Sequence, residues 1–250
     1  MAVVLVATQR TGSAAYDAPA AQEKRTSNAP TKRRSRRFLG CMIVKYNLFA
    51  GQNLDRLSAL SDGLFPFAMT LLVLNLHVPV SSVVQGESNL RAALIAQLPR
   101  LIPYAMTFMT LGIFWVGQQT QLNLLSRTDR NLTWIHIAFL MTISLAPFST
   151  ALLAEYLTYR TALVVYWLNI LPMGLMLYAG WAYARRAALI KEGTPPEVEA
   201  AVERRIRIAQ TLYAFGALLC IFNTYWSIAF IVLVQLNYVL APRIRFLYRL

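Results

Sequence analysis

Acids and reactive side chains are scarce in this chain. Of 250 residues only 11 are Asp or Glu and 14% are charged, against about 25% in an average soluble domain. Two cysteines, Cys41 and Cys220, lie far apart in sequence, one in a basic segment and one in an apolar run, which excludes a disulfide framework and reads as two free thiols. The only histidines, His77 and His136, have no Cys, Asp or Glu at ligand spacing, so no metal site is read from them. Both read as packed or interfacial residues, with pH sensing a lesser alternative for His77. There is no Gly-rich phosphate loop and no Ser/His/Asp arrangement. Without a nucleophile or metal centre the chain reads as no enzyme and as needing no cofactor.

What is present is apolar: 57% of the residues are hydrophobic. A helix needs about 20 apolar residues to cross a hydrocarbon core. Six segments approach that length, near Asp55–Val78, Gln97–Gln118, Leu132–Leu153, Leu163–Tyr183, Ile208–Phe222 and Tyr225–Pro242. The fifth is the shortest, and only a tight turn around Asn223 separates it from the sixth. The longest connection, Arg185 to Arg207, holds Gly193, Thr194, Pro195 and Pro196 and a short charged helix from near Glu197. The expected fold is therefore an all-α membrane protein with six transmembrane helices. Residues 1–53 mix Ala, Pro, Ser, Thr and charge around the basic run Lys32–Arg37 and read as a disordered tail; residues 54–242 form the membrane domain and 243–250 a short basic tail.

The 24 Lys and Arg residues give a formal charge of +13, which nucleic acid, a lipid surface or topology could each explain. Their distribution favours topology. The N-terminal cluster, Arg127, Arg130, Arg185, Arg186, Lys191, Arg204, Arg205, Arg207 and the C-terminal arginines share one side of a six-span chain, and Arg91, Arg100 and Arg160 the other. The positive-inside rule then puts both termini in the cytoplasm of a multi-pass protein of the cell membrane, with no nucleic-acid partner.

Within the first span stands an acid, Asp62. An ionisable group at membrane depth is costly and faces protein or water, so it marks a functional helix. The local sequence is Arg56-Leu-Ser-Ala-Leu60-Ser61-Asp62-Gly63, followed by Thr70-Leu-Leu-Val-Leu74. This resembles the pore helix of the transmembrane protein 175 family of potassium-permeable channels, whose motif reads Arg-x-x-x-Phe-Ser-Asp-Gly and leads into Thr-Leu-Leu-Val-Leu. The resemblance continues through Phe114-Trp115, Asn131-Leu-Thr-Trp134, Ala146-Pro-Phe148, Asn223, Trp226 and Asn237-Tyr238, over roughly residues 54 to 242. Three positions depart from it: Leu60 for the Phe, Gln118 where a His follows the Trp, and Pro66 inside the pore helix, where a kink beside Asp62 is expected.

The resemblance implies a homotetramer in which four first helices surround a potassium-conducting pore, with self, lipid and potassium ions as the partners. By it, Phe67, Leu71 and Leu74 form apolar rings and Thr70 a ring of hydroxyls over about 10 Å of pore. From periodicity alone the same stripe, continued by Val78, reads as lipid-facing or packed. The usual filter, Thr-Val-Gly-Tyr-Gly, is absent. Asp62 falls on another side of the helical wheel, so Arg56, Ser61, Asp62 and Gly63 read as a clasp fixing the pore helix, with Trp115 and Gln118 as donors and any Arg56 pair running between helices or subunits. The competing reading makes Asp62 a proton or cation relay in a proton-coupled transporter or proton channel.

Lesser polar features read as structural. Asn75, Asn169, Asn223 and Asn237 join helices. Trp134, Trp167, Trp181 and Trp226 form an interfacial belt. Glu155 pairs in solvent with Arg160, and Pro147 and Pro172 kink their helices.

Overall fold

The computed structural model describes residues 53–79 and 86–240, and among these the chain is all-α. The predicted N-terminal tail up to residue 52, with Cys41 and the basic run, and the C-terminal tail both lie outside the described residues.

Helix α1, Leu54–Leu71, starts where the Asn53 side chain accepts the Arg56 N–H at 2.9 Å, with Asp55 in the first turn complementing the helix dipole. It runs through Pro66 as continuous α-helix, then tightens into a 3-10 turn at Leu72–Asn75. Leu57, Ser61, Phe65, Ala68 and Leu72 are buried along one stripe, the spacing that brings residues three and four apart onto one face.

Helix α2, Glu87–Leu124, has 38 residues, about 57 Å of helix and nearly twice the hydrocarbon thickness. It begins ten residues before the predicted second span, and most of that added segment is exposed. The third span is two helices, α3 Arg130–Ser144 and α4 Ala146–Glu155, interrupted at Leu145 just before Pro147. Proline at the start of α4 suits that break, since its missing N–H would have no helical partner there. Pro172, in contrast, sits inside the unbroken α5, Arg160–Arg186.

Helix α6, Pro196–Leu218, joins the predicted charged helix and the fifth span into one element that starts polar and ends apolar. A 3-10 turn, Leu219–Ile221, leads to α7, Thr224–Leu240. Helices thus occupy all six predicted spans. Four stretches, Leu54–Asn75, Glu87–Leu124, Arg130–Glu155 and Arg160–Arg186, are long and apolar enough to cross a membrane, and Thr224–Leu240 is a shorter apolar helix. The protein is an all-α, multi-pass membrane protein.

Helix α1 packs on α2 and α3; α3 packs on α5, α5 on α6, α6 on α7, and α7 returns to α2. The main core gathers Phe65, Leu72, Met106, Leu111, Ile143 and Tyr166. A second cluster of Leu57, Leu122, Leu125, Leu132 and Leu189 closes the Asn53 end of the bundle. Polar contacts tie the middle: Thr107 meets Thr150 at 2.7 Å, and Gln235 donates to Thr110 at 2.7 Å. Asn169 contacts Ser149 across helices, the joining role expected of it, and Asn223 caps α7 through the Tyr225 N–H.

Two expectations are corrected. Trp181 is 1% exposed and belongs to the interior, whereas Trp134 and Trp226 are exposed as a belt requires. Glu155 pairs with Arg100 at 2.8 Å rather than with Arg160, because the end of α4 folds back beside α2. Cys220 is a buried free thiol.

Candidate functional site

The α1 motif is held from two neighbouring helices. Asp62 accepts the Trp115 indole N–H at 3.0 Å and the Gln119 amide at 2.6 Å, both from α2. Trp115 and Gln119 are four residues apart, so one face of α2 presents both donors to one carboxylate. Ser58, one turn before Asp62 on α1, lies 3.5 Å from its second oxygen.

The adjacent residue engages a different set. Ser61 is fully buried. Its oxygen lies 3.2 Å from the Leu57 carbonyl, 3.1 Å from the Gln118 amide nitrogen and 2.7 Å from His136 Nε2 on α3. A hydroxyl offers one donor and two acceptor positions. With its proton on the Leu57 carbonyl, both lone pairs receive N–H groups from Gln118 and His136, and every position of the buried hydroxyl is used. Ser61 and Asp62 thus tie α1 to α2 and α3 on adjacent sides.

The expected residues divide accordingly. Ser61, Asp62, Trp115 and Gln118 are brought together, though Gln118 binds Ser61 and not Asp62. Arg56 contributes its backbone N–H to the helix cap and makes no ion pair among the described residues. Gly63 is exposed, and a Cβ there would meet nothing within 4 Å. Gln119 and His136 are the members sequence reasoning missed. The i, i+4 relation between Trp115 and Gln119 was the available signal for the first; nothing in the sequence ties His136 to Ser61.

On its other side α1 is bare. Phe67 is 64% exposed, with Thr70 exposed and Leu71 half-buried, and past the end of α1 the exposure continues at Leu74 in the 3-10 turn, 68%, and at Val78 in the segment after it, 87%. The Thr70 hydroxyl donates to the Phe67 carbonyl at 2.8 Å, leaving its lone pairs outward. Among the described residues the expected stripe therefore has no packing partner over most of its length. At its far end, Arg100 donates to His77 Nδ1 at 3.0 Å while also pairing with Glu155. The clasp and this triad anchor α1 on either side of the bare face.

Comparison with known proteins gives this geometry its context. Residues 56–147, which carry α1 and the clasp donors, match the family model described as endosomal/lysosomal potassium channel TMEM175. A potassium channel of Streptomyces collinus is 34% identical over 165 residues, covering 64% of this chain and 77% of that protein. The chain belongs to the TMEM175 family. A second family member, a potassium channel of Chamaesiphon minutus, is 30% identical over 178 residues, covering 69% of this chain and 87% of its own length. The crystal structure of a lysosomal potassium-selective channel TMEM175 homolog from the same organism superposes with a TM-score of 0.67 at 27% identity, over 75% of this chain and 97% of that one. The zebrafish (Danio rerio) endosomal/lysosomal proton channel TMEM175 is 23% identical over 232 residues, 42% of its length.

Proposed function

We propose that the chain is one subunit of a homotetrameric, passively conducting potassium channel of the cell membrane, with both termini cytoplasmic and α1 lining the pore. The carrying observation is the two-sidedness of α1: hydrogen bonds fix one side at Ser61 and Asp62, while Phe67, Thr70 and Leu74 stand exposed on the other. The names of the bacterial relatives, potassium channels in both cases, support the same reading.

Four such faces around an axis would stack apolar rings from Phe67, Leu71 and Leu74 with a hydroxyl ring at Thr70. Apolar rings gate by excluding water, and oxygens replace part of an ion's hydration shell. Asp62 sits beside this face with its carboxylate held by Trp115 and Gln119, so its role is to position α1 and to bias the entrance towards cations. Passive conduction through such rings calls for no cofactor and no chemical step.

A second reading, proton conduction or proton-coupled transport through Asp62, draws on the exposure of that carboxylate and on the vertebrate relatives named proton channels. Flux from purified protein in liposomes separates the two. A channel passes potassium down its electrochemical gradient with no pH gradient imposed; flux that saturates and requires a proton gradient overturns it.

A further inference from the structure

A crevice opens between α2, α5, α6 and α7, lined by none of the clasp residues and none of the bare face of α1. Phe114, Gly117, Leu177, Ile206 and Ala209 make its walls apolar. Gly117 widens it, since the atom nearest a Cβ there would be Leu177 Cδ2 at 3.6 Å. At one end stands a single cation, Arg205, whose guanidinium lies over the Tyr238 ring at 5.6 Å from its centroid.

Four observations define what such a crevice takes. Arg205 makes no ion pair among the described residues. The nearest acid in sequence, Glu203, is already engaged by Arg185, Arg207 and Tyr178, so it does not neutralise the lip. Stacking on Tyr238 holds the guanidinium in place, its N–H fork available to an oxyanion. Finally, α6 changes character here: its charged residues end at Arg207 and an apolar run follows, which places Arg205 at the level where a bilayer carries its phosphates. From Arg205 to Tyr213 the stripe descends about 12 Å into hydrocarbon.

We propose that this crevice binds one anionic glycerophospholipid, its phosphate on Arg205 and one acyl chain against Phe114, Leu177, Ile206 and Ala209. A bilayer supplies acyl chains everywhere; what distinguishes this position is the unneutralised, pre-oriented cation at phosphate depth above an apolar slot. The site is separate from conduction, and its readout is lipid retention rather than ion flux.

The test is native mass spectrometry of protein released from nanodiscs of phosphatidylcholine with or without phosphatidylglycerol. Wild-type protein is expected to retain phosphatidylglycerol in preference to phosphatidylcholine. Arg205→Gln lowers that retention about fivefold, the effect of one base at a lipid surface, and Arg205→Lys restores part of it. Ala209→Phe, which fills the slot without changing charge, also lowers retention and serves if Arg205→Gln does not fold. Arg127→Gln, remote from the crevice, leaves it unchanged. Equal retention of the two lipids, or phosphatidylglycerol retention unaffected by both crevice variants, overturns the proposal. So does chain-to-chain cross-linking through Ala209→Cys, which would make a second subunit the occupant.

Discussion

Ser61 Oγ and His136 Nε2 lie 2.7 Å apart in the interior, joining the motif of α1 to α3 across 75 residues of sequence. Because Gln118 donates to the same oxygen from α2, one hydroxyl couples three helices. Ser61→Ala leaves two buried N–H groups without an acceptor, at about 1–3 kcal/mol. Thermal unfolding in detergent should show the loss, with reduced potassium flux in liposomes. Wild-type melting and flux together would remove Ser61 from the clasp.

Trp115 and Gln119 share one carboxylate, so their removal is not additive. Trp115→Phe keeps the ring and deletes the donor; Gln119 continues to hold Asp62. The cost is about 1 kcal/mol, less than for a buried charged pair, because Asp62 is exposed. The double variant with Gln119→Leu should lose more than the two single losses combined, read as a double-mutant cycle on unfolding midpoints. Simple additivity would mean the two donors act independently.

The sequence made the near half of this site readable and left the far half hidden. Asp62 and Trp115 stand out because an acid in an apolar run demands a donor and the indole is one. His136 gave no such signal, since its partner is chosen by how α3 lands on α1 and neither residue is anomalous locally. Helix ends were hidden for a related reason. Hydropathy marks where a helix leaves lipid and says little of where it stops, so α2 continues back to Glu87, and the charged helix expected from near Glu197 runs without a break into the fifth span. The Glu155 partner followed the same rule: sequence proximity favoured Arg160, and the return of α4 beside α2 delivered Arg100 instead.

Close packing of α5 on α6 rests on a missing side chain. A Cβ on Gly174 would fall 1.7 Å from Gln210 Nε2 and 2.1 Å from its Cδ, so the whole Gln210 side chain would have to move. Gly174→Ala should destabilise by about 1–3 kcal/mol, the usual cost of overpacking. In a Gln210→Ala background the same substitution should cost much less. Equal costs in both backgrounds would show that Gln210 does not fill the space.

The exposed stripe of α1 makes a conduction prediction. Leu74→Ala removes Cγ and both Cδ atoms from every subunit of an apolar ring and should raise potassium conductance on the order of twofold or more by easing wetting. Val73→Ala, one position around the helix, should change it less. Planar-bilayer recordings decide this, and matched currents in the two variants would place the constriction elsewhere.

Asp62 separates positioning from carriage. Asn at this position keeps the one oxygen, Oδ1, that accepts from both Trp115 and Gln119 and deletes the charge, so α1 stays tethered through both donors and through the intact Ser61 network. A channel built on the bare face should still pass potassium passively in Asp62→Asn, with conductance lowered by the lost attraction of cations to the entrance. A carrier loses transport outright, because a carboxamide does not take up and release a proton in the accessible pH range. Potassium flux measured in liposomes with and without a pH gradient reads both outcomes. Persistent gradient-independent flux supports the channel; complete loss, with folding preserved and Ser61 variants still active, assigns the ion-carrying step to Asp62.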